Sequence, residues 1–229
     1  MSTPKIRVTI LDDHPSIVDG YIYRLSRTPQ IEVVATCSFG EDLEPTLVQH
    51  PTDVLLLDVN VPAGRDNLNP YPILSLIPKL LQQYPKLNIL VISMHAERGL
   101  IRAVMEAGAS GYILKDDQSA ARDLANIVTS VAGEGIYFSQ KAHQLYAKTQ
   151  SPDGDNLLTV RQLEVLSLCA AYPDDTTAEL AQKMTVANST LRNLLSGAYV
   201  RLKVHSRSAA VARARQLGII VTDSANLGA

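Results

Sequence analysis

The chain has 229 residues, 46% hydrophobic and 19% charged, with a formal net charge of −2, a composition that fits a globular protein of one or two cores and excludes disordered and fibrous classes. Its longest apolar runs, such as Val54-Leu55-Leu56-Leu57, fall far short of the roughly 20 residues of a membrane helix, and the opening MSTPKIRVTILDDH reaches Asp12 and Asp13 before an export signal could form, so a cytoplasmic protein with no membrane partner is expected. Cys37 and Cys169 match no metal-ligand spacing and suit a reduced compartment as small buried residues.

Continuously apolar or β-branched runs at 6–11, 31–35, 54–57, 89–92 and 111–114 alternate with helix-like stretches near 15–27, 40–49, 73–84, 97–107 and 118–132. Strands buried on both faces are apolar throughout. Five βα repeats therefore predict an α/β, doubly wound parallel sheet with helices on both sides. Residues 149–156 (TQSPDGDN) are rich in turn formers and lack apolar periodicity, which predicts a linker. The expected domains are thus 1–148 and 157–222, with a tail at 223–229. Beyond the linker the strand signal stops, and 159–171, 176–184, 188–203 and 207–217 read as four helices of an all-α domain. Thr159 and Thr176 are expected N-caps, the first in a box closed by Gln162, and Gly218 stands where a C-terminal cap belongs.

In the first domain Asp12 and Asp13 follow the first strand, Asp58 follows the third, Ser93 ends the fourth and Lys115 follows the fifth. Right-handed crossovers bring these carboxyl ends to one edge of the sheet, where ligands bind in such folds. Three carboxylates in one pocket repel one another unless a cation joins them, and a hard divalent ion with oxygen ligands, Mg²⁺ most naturally, answers that need. Lys115 adds a second positive charge and the Ser93 hydroxyl can donate to a phosphoryl oxygen. Together these parts suit phosphoryl transfer to a carboxylate nucleophile.

The motifs LDDH at 11–14, LLLDVNVP at 55–62, VIS at 91–93 and GYILK at 111–115 resemble the receiver domain of two-component response regulators, over roughly residues 5–132. The resemblance implies that Asp58 is the phosphoacceptor, with a sensor histidine kinase or a small phosphodonor as its source. It implies Asp13 as a direct Mg²⁺ ligand beside Asp12 and Asp58, with the Asn60 backbone carbonyl completing the set. Ser93 and Lys115 would answer the phosphoryl group, and Tyr112 would be the aromatic switch that turns inward with Ser93. Two departures stand out. Residues 63–72 (AGRDNLNPYP) make the loop after Asp58 longer than usual, long enough to cover the site or recruit a partner. His95 sits where such proteins vary their dephosphorylation rate, and an ordinary exposed histidine is expected there.

Charge is split between the domains. Residues 1–156 carry −5 and 157–229 carry +3, and between 185 and 215 the six cations Arg192, Arg201, Lys203, Arg207, Arg213 and Arg215 occur without an acidic residue, a pattern suited to a polyanion. Leu191, Leu195, Ala198 and Leu202 share one helical stripe and should face the core. That leaves Asn188, Ser189, Arg192, Asn193 and Ser196 outward, residue types that suit base edges and phosphates of double-stranded DNA. Arg201, Lys203 and Arg207 suit the DNA backbone. The pieces LLTVRQLEVLSL at 157–168, AELAQKM at 178–184, STLR at 189–192 and VRLKVHSRSAAV at 200–211 resemble the LuxR-type helix-turn-helix of NarL/FixJ response regulators. That resemblance implies a phosphorylation-controlled transcription factor, homodimeric when phosphorylated, whose helix at 207–217 pairs two DNA-binding domains. Ala178, Leu194 and Gly197 depart from the pattern, and a mid-helix glycine costs about 1 kcal/mol against alanine. Two other readings are a receiver whose helical domain binds protein, and a Mg²⁺-dependent phosphatase of the haloacid dehalogenase type. The latter needs an Asp-x-Asp-x-Thr run where this chain has Asp12-Asp13-His14-Pro15-Ser16.

Overall fold

The computed structural model describes residues 4–147 and 157–220. The expected linker at 149–156 and tail at 223–229 lie outside the described residues.

The first domain is built on β1 (Ile6–Leu11), β2 (Ile31–Cys37), β3 (Val54–Leu57), β6 (Asn88–Ser93) and β7 (Gly111–Leu114), parallel neighbours in the order β2-β1-β3-β6-β7. Their side chains alternate strictly between two cores. Val8, Ile10, Val54, Leu56, Leu90, Ile92 and Ile113 face α1 (Pro15–Leu25) and α6 (Leu124–Ala132). Leu11, Leu55, Leu57, Ile89, Val91, Tyr112 and Leu114 join the core shared with α2 (Leu43–Gln49), α3 (Ile73–Gln83) and α4 (Arg98–Glu106). Both faces are dry, so the strands read as unbroken apolar runs.

The sheet has six strands rather than the expected five. β8 (Tyr137–Phe138) pairs in parallel with β7, and α7 (Gln140–Ala147) follows it. Two residues are too few to show a period of two, so the strand leaves no pattern in the sequence. Gly111 admits it: a Cβ there would lie 2.3 Å from the Tyr137 carbonyl oxygen. Phe138 then stacks on Tyr146 with ring centroids 4.9 Å apart. The helix expected at 118–132 is divided at Asp123 into α5 (Gln118–Arg122) and α6, and the stretch from 40 opens with a 3₁₀ turn over Gly40–Asp42 before α2. The long segment after Asp58 is no open loop. It folds into an antiparallel hairpin, β4 (Pro62–Gly64) and β5 (Asn67–Pro70), whose Tyr71 ring occupies the space a side chain at Gly40 would need.

A two-toothed ion pair fastens the start of β1 to the start of β3. Arg7 Nη2 and Nε donate to Asp53 at 2.7 and 3.0 Å, and the Arg7 amide adds a third bond at 2.8 Å. These bonds hold the Asp53 carboxyl below its ordinary 3.8. A depressed acid stabilises the fold above its ordinary value and loses that contribution as pH falls through the folded one. Asp53→Asn is expected to cost about 1 kcal/mol at neutral pH, solvent screening included. In urea melts its deficit should shrink once the pH falls below 3.8; a deficit that stayed constant down to pH 2 would show packing rather than charge.

The second domain comprises α8 (Val160–Ala171), α9 (Thr177–Lys183), α10 (Asn188–Leu202) and α11 (Arg207–Gln216). Thr159 and Thr176 cap α8 and α9 with complete capping boxes closed by Gln162 and Glu179. Gly218 takes the left-handed conformation after α11, at φ 63°. α10 buries Leu191, Leu195, Ala198 and Leu202. α8 packs against α3, α4 and β5, and the apolar core of the second domain runs on into the α3/α4 side of the first.

Candidate functional site

Asp12, Asp58 and Lys115 each stand one step beyond a strand end, where one further backbone hydrogen bond holds them. The Asp12 amide donates to the Cys37 carbonyl at 3.1 Å, the Asp58 amide to Leu11 at 2.9 Å and the Lys115 amide to Ser93 at 2.8 Å. The side chains consequently converge. Lys115 Nζ lies 2.7 Å from Asp12 Oδ2 and 2.7 Å from Asp58 Oδ2, with all three side chains buried. Burial pushes the Asp58 carboxyl above the usual carboxylate range against the pull of Lys115. For Lys115 burial opposes the charge, but the two carboxylates outweigh it and hold the ammonium above its ordinary value.

The remaining oxygens are unevenly served. Asp12 Oδ1 accepts from the His14 amide at 3.0 Å and Asp58 Oδ1 from the Asn60 amide at 3.2 Å. Asp13 Oδ1 is buried without a well-aligned donor, although His14 Nδ1 lies 2.9 Å from it. Ligand atoms of Asp12, Asp13, Asp58 and His14 fall within 4.8 Å of one another. A buried carboxylate oxygen with no donor, beside two more carboxylates, fits a small hard cation. The chemistry of the donor set therefore suits Mg²⁺.

Behind the carboxylates, Ser93 and Tyr112 are fully buried. Ser93 Oγ accepts from the His95 amide at 3.1 Å, and the Tyr112 hydroxyl donates to the His95 carbonyl at 2.8 Å. Both therefore hold the backbone of the segment that follows β6. His95 is not the exposed residue expected: its side chain is only 19% exposed, with Nδ1 3.4 Å from Glu97 Oε2. Glu97 was not singled out by its sequence context. Burial resists its ionisation, yet the neighbouring His95 holds its carboxyl below the ordinary value.

On α10, Ser189, Arg192, Asn193 and Ser196 are exposed and Asn188 is half-buried, while Arg201 and Lys203 are exposed at the far end of the helix. Arg207 departs from the expected outward role. Its Nη1 and Nη2 donate to the carbonyls of Asp175 and Pro173 at 2.5 and 2.6 Å, so it fastens the α8–α9 turn instead. Of the departures from the pattern, Ala178 is exposed and Leu194 packs partly against the core. Gly197 has a packing reason: a Cβ there would lie 2.6 Å from Gln162 Nε2, and Gln162 Oε1 closes the α8 capping box at 3.0 Å from the Thr159 amide. Alanine at 197 would gain about 1 kcal/mol of helix propensity and strain a cap worth about the same.

Among family models, one described as response regulator receiver domain matches residues 8–128, and one described as bacterial regulatory proteins, luxR family, matches residues 156–214. The transcriptional regulatory protein DegU of Brevibacillus brevis is 29% identical over 90% of this chain and 92% of its own length. The transcriptional regulatory protein DesR of Bacillus subtilis is 28% identical over 93% of this chain and 98% of its own. Among solved structures, RcsB from Salmonella enterica serovar Typhimurium, bound to the promoter rprA in the presence of the phosphomimetic BeF₃⁻, superposes with a TM-score of 0.65 at 20% identity, over 91% of this chain and 98% of that one. At that identity the likeness speaks for the fold.

Proposed function

Since the chain belongs to the response regulator receiver family and carries a luxR-family regulatory domain behind the receiver, we propose that Asp58 is its phosphoacceptor and that phosphorylation there governs binding of double-stranded DNA by the second domain. The observation that carries this is the shared ammonium of Lys115, 2.7 Å from both Asp12 and Asp58, beside the undonated oxygen of Asp13. Asp12, Asp13 and Asp58, with the Asn60 backbone carbonyl, would hold Mg²⁺, which neutralises charge on a transferring phosphoryl group. Asp58 Oδ forms the new bond to phosphorus as the donor's bond to phosphorus breaks, whether the donor is the phosphohistidine of a sensor kinase or a small acyl phosphate. Lys115 is placed to follow the charge from carboxylate to phosphoryl oxygen. Ser93 is positioned to exchange the His95 amide for that oxygen, and Tyr112, anchored on the same His95 backbone, is positioned to respond.

The names of the relatives, both transcriptional regulatory proteins, and a neighbour bound to promoter DNA support a DNA-binding, non-enzymatic, cytoplasmic role. No helix among the described residues is long and apolar enough to cross a membrane. The exposed Ser189, Arg192, Asn193 and Ser196 would meet base edges, with Arg201 and Lys203 on phosphates, and a phosphorylated homodimer would span two half-sites. The test is selection of fragmented genomic DNA by the full chain, with Mg²⁺ alone and with Mg²⁺ plus beryllofluoride. Enrichment only in the second condition is expected, and none in either would overturn the proposal. Arg192→Ala is expected to lower affinity for the selected fragments about tenfold and to relax the preference at one base position. A uniform loss over all sequences would move Arg192 to the phosphate contacts.

A further inference from the structure

Helix α1 starts without a side-chain cap. His14 holds its N-cap position ahead of Pro15, where serine, threonine, aspartate or asparagine is preferred, and the imidazole makes no capping bond. The ring turns to the carboxylates instead. Nδ1 lies 2.9 Å from Asp13 Oδ1 and 3.2 Å from Asp12 Oδ1, and ligand atoms of all three residues and of Asp58 fall within 4.8 Å of one another. Hydrogen bonding accounts poorly for this placement. A charge-assisted N–H···O bond runs at about 2.7–2.9 Å, so the contact with Asp12 is long, and its oxygen already accepts from the His14 amide at 3.0 Å. The shorter contact is out of line, leaving the buried Asp13 Oδ1 without a donor. Neighbouring ligands of an octahedral ion are arranged in just that way: with bonds of about 2.1 Å they stand about 3 Å apart, each well off the other's bond axis.

We propose that His14 Nδ1 is a ligand of the ion in the carboxylate pocket, which makes the pocket a mixed nitrogen and oxygen site that favours a borderline first-row ion, of the Fe²⁺ to Zn²⁺ class, over Mg²⁺. The choice of ion rests on the metal site proposed above. Mg²⁺ is hard, takes oxygen ligands and gains little from an imidazole, whereas the later first-row ions bind imidazole well. Coordination uses the lone pair of Nδ1, so the ring carries its proton on Nε2. Lys115 stays on the far oxygens, Asp12 Oδ2 and Asp58 Oδ2, and leaves the His14 side of the pocket to the ion. Asp13 Oδ1 thereby gains the partner it lacks. The His14 ring is exposed, so an ion reaches it from solvent without the fold opening. The consequence is competition for one place: a borderline ion displaces Mg²⁺ from the carboxylates that phosphoryl transfer to Asp58 uses.

The test is calorimetric titration of the full chain with Co²⁺ and with Mg²⁺, joined to proton NMR of the Co²⁺-loaded protein. Co²⁺ is expected to bind at least about tenfold tighter than Mg²⁺ and to give hyperfine-shifted imidazole signals. His14→Ala should lose those signals and about tenfold or more in Co²⁺ affinity, but only about twofold in Mg²⁺ affinity. His14→Asn, whose side chain can cap α1, should match the parent in thermal melts with chelator present and still lack the signals. Equal losses for the two ions in His14→Ala would mean that the ring only positions Asp13, and signals that persist there would assign the ion to another histidine. Either result overturns the ligand. Phosphoryl incorporation into the parent from a small acyl phosphate in Mg²⁺, read by intact mass, separates this from the function. A labelled parent whose Co²⁺ affinity does not depend on His14 would overturn the ligand and leave the function standing. An unlabelled parent that binds Co²⁺ through His14 would overturn the function and leave the ligand.

Discussion

Asp58→Asn is expected to abolish incorporation of phosphoryl groups from a small acyl phosphate in Mg²⁺ while raising the melting temperature of the unmodified protein. The first effect follows from how few nucleophiles the pocket offers. Asp12 is as close to Lys115 as Asp58 is, at 2.7 Å, but its other oxygen meets both the amide and Nδ1 of His14, at 3.0 and 3.2 Å, where that of Asp58 meets only the Asn60 amide at 3.2 Å. Asp13 does not reach Lys115 at ion-pair distance in the structure. The second effect follows from the carboxyl's environment. Burial raises the folded-state pKa of Asp58 above its ordinary 3.8, and a group with a raised pKa stabilises the fold fully below the ordinary value and loses that contribution as pH rises through the folded one. At neutral pH the ionised Asp58 therefore weighs against folding, and the amide relieves it. A gain of about 1 kcal/mol would move the midpoint by roughly 2–4 °C in a chain of this size. The gain should vanish below pH 3.8. Intact-mass spectra and thermal melts across pH measure both, and equal labelling of the variant would move the phosphoacceptor elsewhere.

The strands and the pocket were legible because burial on both faces forces continuous apolar runs, and because each polar residue that ends such a run lies at the same sheet edge. Helix caps were legible for a similar local reason: Thr159 and Thr176 bond within their own first turn. What escaped depends on partners distant in sequence. β8 is two residues long and exists because Gly111 leaves room for it. The hairpin at 62–70 has polar and proline positions that resemble a loop, and its strands are ordered by Tyr71 over Gly40 and by the end of α8. Arg207 carries the same charge as Arg201 and Lys203, and only the position of the α8–α9 turn tells that its guanidinium is committed to two carbonyls. Gly197 looked like a defect in a helix because Gln162, which needs the space, stands 35 residues away.

Lys115→Ala should produce the largest loss of stability among single changes in the pocket, and Mg²⁺ should restore much of it. The ammonium is 7% exposed and sits 2.7 Å from two carboxylates that are themselves buried. Removing it leaves two charges that water does not reach, a break that typically costs about 3–5 kcal/mol. For a chain of this length that is a drop of roughly 10 °C. A divalent ion among Asp12, Asp13 and Asp58 supplies the missing positive charge, so the increase in melting temperature on adding Mg²⁺ should be greater in Lys115→Ala than in the parent. Asp58→Asn in the same chain should recover stability without Mg²⁺, because the pair of substitutions removes both the cation and one of the charges it served. Thermal melts of the four proteins with and without Mg²⁺ decide it. Identical Mg²⁺ shifts in parent and Lys115→Ala would mean that the ion binds where Lys115 has no influence, and the carboxylate pocket would lose its claim to the metal.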